Sequence, residues 1–226
     1  MSKKETLAIQ NQWLSSLQSG QSQKFVFNES SGLFMADTFL IGALSITEYW
    51  EEINQQEKII RYDTIASYQL YPGQLFVHGE YNTDNGKRFS SVIGWVKRGD
   101  WIKAFEAVAP NGDSPEDGKT EINLLRASWE LYSNQHRPDL IAKNVFAPSG
   151  RYFYRGKVYE GIEIADAYSY MKNEDYSIDL TPQKVIPVNS EQTYEIGIFK
   201  TGGQGLYFLM WGKAEGEWKL LLDFNF

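Results

Sequence analysis

The chain has 226 residues, of which 42% are hydrophobic, 15% aromatic and 23% charged, with no cysteine and a formal net charge of −7. Such a length holds one large or two small domains, and such a composition is that of a folded globular chain. The negative charge argues against nucleic acid or an anionic membrane as partner, and the lack of cysteine excludes disulfides, thiol nucleophiles and thiolate metal ligands.

The start, Met1-Ser2-Lys3-Lys4-Glu5-Thr6-Leu7, lacks the apolar stretch of a secretory signal, and no run of about 18 apolar residues follows, so a cytoplasmic protein is expected. Leu7, Trp13, Leu14 and Leu17 predict an amphipathic helix over Glu5–Ser19, which Gly20 can end. An aromatic hairpin is expected over Leu33–Ile41 and a second helix over Ser45–Ile53. Strands at Ile65–Tyr71, Leu75–Asn82, Arg88–Lys97 and Trp101–Val108 follow, separated by turns at Pro72-Gly73, Asn85-Gly86 and Gly99-Asp100.

The polar stretch from Pro110 to Gly118 has the composition of an exposed connector, and beyond it the same pattern begins again. A helix is expected over Glu121–Ser133, a hairpin over Tyr152–Glu160 and a second helix over Ile162–Met171. Strands at Gln183–Val188, Gln192–Lys200, Leu206–Lys213 and Trp218–Phe226 complete the pattern. Trp13 and Trp129 lie 116 positions apart, as do Trp95 and Trp211, while Trp101 and Trp218 lie 117 apart. Phe27 with Phe146, Gly42 with Gly161 and Tyr49 with Tyr168 lie 119 apart, and Gly79 with Gly197 lies 118 apart. Rare residue types matched in one order indicate a tandem duplication, with copy one at residues 1–112 and copy two at 113–226.

The closing hairpins, Trp95-Val96-Lys97-Arg98-Gly99-Asp100-Trp101 and Trp211-Gly212-Lys213-Ala214-Glu215-Gly216-Glu217-Trp218, carry a tryptophan, lysine, glycine, tryptophan ending. Together with the glycine before each second helix and the order helix, hairpin, helix, sheet, this resembles the nuclear transport factor 2-like superfamily, in its SnoaL-like or ketosteroid-isomerase-like branch. The resemblance covers both halves. It implies an α+β fold of two tandem cone-shaped domains, each with N-terminal helices packed on a curled antiparallel sheet. The open end of such a cone forms a pocket. Superfamily members include isomerases, dehydratases, cyclases, epoxide hydrolases and non-catalytic binding modules, so fold alone leaves the function open. Many members dimerise through their sheets, which implies an intramolecular pseudo-dimer of the two copies here.

Enzymes of the superfamily usually work with a carboxylate or histidine in the cone. On the strand Leu75–Asn82, alternation places Phe76, His78 and Glu80 on one face, and copy two carries Tyr194, Ile196 and Ile198 at those positions. His78 and Glu80 are therefore candidates for a polar pocket in copy one, with copy two mainly supporting it; the alternative is a polar edge of a sheet contact. His136 reads as a solvated loop residue before Pro138. Glu106 and Asp223 match at 117 positions, which favours a shared structural role over catalysis. Tyr49, Trp50, Tyr152, Tyr154, Tyr168 and Tyr170 fall where the hairpin and second helix close the cone, either as core or as a tyrosine-lined small-molecule site.

Two isolated histidines make no metal shell, no cofactor motif is present, and Thr201-Gly202-Gly203-Gln204-Gly205 reads as a hairpin turn, not a phosphate loop. The leading expectation is a protein that binds a small apolar or aromatic molecule. The alternatives are an isomerase, dehydratase or cyclase using His78 and Glu80 as acid–base groups, and a protein-association scaffold with filled cones.

Overall fold

In both copies the amphipathic opening segment forms a helix because its apolar residues recur at helical spacing. In the computed structural model, which describes residues 3–20, 26–35, 38–112 and 118–226, these are α1 (Lys3–Gln18) and α3 (Lys119–Asn134). Trp13, Leu14 and Leu17 of α1 are buried, as are Ile122 and Trp129 of α3. The chain divides into two units, Met1–Asn111 and Gly112–Phe226. The connector at 113–117 and the hairpin tip at 36–37 lie outside the described residues.

Second helices follow at α2 (Ala43–Gln56) and α5 (Ile162–Ala167), the latter continued by a 3-10 turn at Ser169–Lys172. The matched glycines have a local reason. Gly42 and Gly161 are the N-caps of these helices with φ of 92° and 53°, a region that other residues enter at a cost. An additional helix, α4 (Pro138–Asn144), starts with proline at a position where no backbone N–H is required. It was not expected from the sequence. The corresponding stretch of copy one falls partly outside the described residues.

Copy one builds a six-stranded sheet from β1 (Gly32–Met35), β2 (Thr38–Ile41), β3 (Ile59–Tyr68), β4 (Gln74–Thr83), β5 (Arg88–Arg98) and β6 (Asp100–Pro110). Copy two builds its own from β7 (Phe146–Tyr154), β8 (Lys157–Glu160), β9 (Asp179–Pro187), β10 (Gln192–Lys200), β11 (Gln204–Ala214) and β12 (Glu217–Asn225). The strand orders, β2-β1-β6-β5-β4-β3 and β8-β7-β12-β11-β10-β9, are the same, so the duplication extends to topology. Each unit is thus α+β, with helices preceding and packing on one face of its sheet.

Two details differ from expectation. One ladder in each sheet is parallel, β1 with β6 and β7 with β12, because the last strand returns beside the first. A helix and four strands intervene, ample chain for a parallel return. Strands β3 and β9 also begin earlier than the apolar pattern suggests. Strand β9 accommodates Pro182 because it is an outer strand, where a missing donor is tolerated.

Bulges recur at matched places. In copy one, Gly94 pairs with Phe105 and Trp95 with Lys103, leaving Ala104 extra; in copy two, Met210 pairs with Leu222 and Trp211 with Leu220, leaving Leu221 extra. A second pair leaves Ile65 and Gln183 extra on the outer strands.

The matched glycines Gly79 and Gly197 face the helix-covered cores for a steric reason. A Cβ on Gly79 would lie 2.4 Å from the Tyr62 hydroxyl, and one on Gly197 would lie 2.3 Å from the Tyr207 ring. Each glycine is the floor on which a tyrosine lies. Gly197→Ala should therefore overpack the core of copy two and cost about 1–3 kcal/mol, read as a lower urea midpoint at unchanged slope. An unaltered midpoint would show that Tyr207 can move aside freely.

Candidate functional site

The bulges decide which side chains enter the cones. In an uninterrupted strand, residues three apart point to opposite faces. The extra Ala104 turns Lys103 and Glu106 to the same side, where Lys103 Nζ lies 3.0 Å from Glu106 Oε2 and both side chains are wholly buried. Lys103 Nζ also lies 3.8 Å from the ring centre of Trp13 and 5.2 Å from that of Phe27. Tyr81 donates to Glu106 through its hydroxyl, and Gln10 Nε2 donates to the Tyr81 hydroxyl at 2.9 Å. Burial lowers the pKa of Lys103, and Glu106 opposes that shift. Side chains thus occupy the cone of copy one: Trp13 packs on Trp50 at 5.3 Å, and Trp50 on Tyr81 at 5.0 Å.

Copy two has the same bulge and a different filling. Asp223 takes the place of Glu106 and accepts a hydrogen bond from Tyr168, as Glu106 does from Tyr81. The position of Lys103 is Leu220. The buried cation comes instead from helix α3, where Arg126 donates to Glu195 through Nε at 2.6 Å and Nη2 at 2.9 Å. Glu195 is further held by Tyr207 at 2.8 Å and Trp211 Nε1 at 3.1 Å. Burial works against the charge of Arg126, but its hydrogen bonds to Glu195 raise its pKa overall.

Arg126 is therefore committed, and among the described residues no lysine or arginine pairs with Asp223. Burial pushes the Asp223 carboxyl up to about 7, against the lowering effect of the Tyr168 hydrogen bond.

Beside Asp223 lies a cavity of about 230 Å³. Trp129, Tyr168, Tyr207 and Leu209 form its inner wall, with Ile178, Leu180 and Phe199 beyond them. Tyr170, Tyr176 and Thr201 also line it, and Tyr170 is half-exposed. At about 30 Å³ per water the space equals roughly seven or eight waters, below the usual range of drug-sized sites. The indole N–H of Trp129 is buried without a hydrogen-bond partner among the described residues.

The residues expected at a site separate. Tyr168 lines this cavity, and Tyr152 packs against it with ring centres 4.6 Å apart. Tyr154 stacks on Tyr152 at 5.9 Å. Trp50 is buried core in copy one, and Tyr49 packs against that core half-buried.

His78 and Glu80 do share a face, but Leu75, Val77 and Tyr81 occupy the helix-covered one, so the pair lies on the opposite side of the sheet from the cone. There His78 Nε2 is 3.2 Å from Ser90 Oγ, and Glu80 accepts from Asn111 Nδ2 at 2.6 Å. His78 and Glu80 thus do not line the cavity beside Asp223, whose lining comes from copy two, while among the described residues Lys103 and its aromatic neighbours pack inside the first cone. His136, expected in a solvated loop, has positive φ and places Nδ1 2.9 Å from the Met171 carbonyl oxygen. Among the described residues no cluster of three metal-ligating side chains occurs, and no helix is long and apolar enough to cross a membrane.

No family model and no curated protein matches the chain. Solved structures with related architecture include an NTF-2 like protein of unknown function from Shewanella oneidensis, 16% identical, over 47% of this chain and 97% of that one, with a TM-score of 0.42. An uncharacterized protein with a cystatin-like fold from Caulobacter vibrioides, also 16% identical, matches over 49% of this chain and 89% of its own with a TM-score of 0.43. A putative calcium/calmodulin dependent protein kinase II association domain from Xanthomonas campestris is 14% identical over 51% and 92% of the two chains, with a TM-score of 0.41. Each spans about half of this chain, and at these identities and scores none assigns an activity.

Two outcomes follow from the paired acids. Lys103→Met strands a buried carboxylate and should cost about 3–5 kcal/mol, whereas Lys103→Met with Glu106→Gln should recover much of that loss in urea unfolding. For Asp223 the folded state holds its proton more tightly than the unfolded chain, so its stabilising effect is full below about pH 4 and disappears as pH rises through about 7. Between pH 5 and 8 the parent should lose a few kcal/mol relative to Asp223→Asn, and parallel stability curves would contradict the buried acid.

Proposed function

We propose that this is a small-molecule-binding protein in which copy two holds the ligand and copy one is a filled structural counterpart. The observation that carries the reading is the cavity of about 230 Å³ beside the buried Asp223. Its wall combines apolar area with a few polar groups, the usual make-up of a site that holds a ligand by burial and orients it by hydrogen bonds. The SnoaL-like resemblance of the closing hairpins supports a ligand-holding cone. The size restricts the ligand to roughly one ring or its equivalent.

A second reading, proton transfer on the bound molecule, is favoured by Asp223. A carboxyl with a pKa of about 7 beside a tyrosine hydroxyl in an aromatic cavity suits general acid–base work at neutral pH. It replaces the earlier expectation for His78 and Glu80, which do not share the cavity.

Calorimetric titration with phenol, benzyl alcohol and indole tests the binding reading. At least one should bind saturably. Thr201→Trp, which places a bulky ring in the cavity lining without touching the sheet core, should weaken that binding at least about tenfold. Binding unchanged by Thr201→Trp would move the site elsewhere, and no saturable binding by any probe in this subsection or the next would refute a ligand-holding cone.

A further inference from the structure

The filled cone of copy one shows what the open cone of copy two lacks. In copy one an ammonium group, Lys103 Nζ, sits 3.8 Å from the centre of the Trp13 ring, 5.2 Å from Phe27 and 5.9 Å from Trp95, and pairs with Glu106 at 3.0 Å. It is a cation in an aromatic box closed by a carboxylate.

Copy two preserves the box. Trp129, Phe146 and Trp211 match Trp13, Phe27 and Trp95, and Asp223 matches Glu106 on the same side of the same bulge. Only the cation is gone, replaced by Leu220, which supplies no charge. Leu220 is buried in the core there, and of the matched residues Trp129 and Asp223 line the cavity.

We infer that the cone of copy two binds a small protonated organic amine, whose ammonium group serves Asp223 as Lys103 serves Glu106. This rests on the binding reading above and names its ligand class.

Three features agree with it. Aromatic faces attract cations through their quadrupole, most strongly where water is excluded, and Tyr168, Tyr170, Tyr176, Phe199 and Tyr207 extend the aromatic wall beyond Trp129. The other buried acid nearby, Glu195, has its own cation in Arg126 and does not compete for the ligand's charge. A buried carboxyl without a countercharge gains from any ligand that brings one, since the pair can then ionise together. Copy one has no need of such a ligand because its chain carries the ammonium group. The duplication thus pairs an acid whose cation is supplied by the chain with a matched acid that faces a cavity.

Calorimetry at pH 7.5 with benzylammonium, benzyl alcohol and benzoate separates the possibilities, because the three probes share a ring and differ in charge. Benzylammonium should bind at least about tenfold more tightly than benzyl alcohol, and benzoate most weakly. Asp223→Asn, which keeps the shape and removes the charge, should reduce that preference to about twofold or less. Leu220→Lys restores the internal cation and should abolish benzylammonium binding. If Leu220→Lys does not fold, the Asp223→Asn comparison stands alone.

Equal affinity for benzyl alcohol and benzylammonium, or a preference that survives Asp223→Asn, would overturn the cation assignment and leave the binding cone intact. Benzylammonium binding undiminished in a folded Leu220→Lys variant would overturn the equivalence of the two sites. If none of these probes nor those of the preceding subsection binds, both the ligand class and the binding reading fail.

Discussion

One extra residue in the closing strand of each copy, Ala104 and Leu221, determines which side chains meet inside the cones. A bulge reverses the alternation of a strand from that point on. Before it, Trp101 and Lys103, or Trp218 and Leu220, face the helices; after it, Glu106 and Asp223 do. Without the extra residue, either the tryptophans or the acids would turn to the other face. The bulge therefore brings an acid into an aromatic core that a regular strand would have kept apolar.

A buried acid requires compensation, and the copies supply it differently. In copy one the compensation is three residues away on the same strand. In copy two a helix contributes Arg126, but to a different carboxylate, Glu195, at a position where copy one has Val77. The exchange is reciprocal, since Gln10 of copy one occupies the place of Arg126 and donates to Tyr81. Both cores contain one satisfied buried ion pair. Copy two contains in addition an acid that, among the described residues, is held by a tyrosine hydroxyl alone, and that acid lines the cavity. A buried ion pair contributes little net stability, but it fixes which groups must lie together.

The architecture was legible because its markers are rare residues: six of seven tryptophans and four glycines pair across the chain, and each glycine pairing has a local conformational or steric cause. The acids Glu106 and Asp223 were also visible as a matched pair, and their repetition pointed to structure. Their difference was hidden, because it depends on Lys103 becoming Leu220, two positions that pair with an acid only once the intervening bulge is known. The pair His78 and Glu80 was placed correctly on one face. Which face meets the helices was not legible, since Phe76 and Val77 make both sides of the strand apolar. The contact of Arg126 with Glu195 spans 69 residues and leaves no periodic trace in the sequence.

The outer strands carry a further consequence. Strands β3 and β9 end their sheets and present unpaired backbone along one side, a template on which another chain can add. Both are broken by a bulge near the middle, at Ile65 and Gln183, and β9 also contains Pro182 and the exposed Lys184. A strand arriving from a neighbouring molecule would lose register at the bulge, and on β9 it would also meet a missing donor and a charge. The outer edge of copy one has no proline, but two irregularities, at Ile60 and Ile65, flank its charged residues Arg61 and Asp63. The two edges thus resist strand addition by different means, paired irregularities around charged residues in copy one and a bulge, a proline and a charge in copy two.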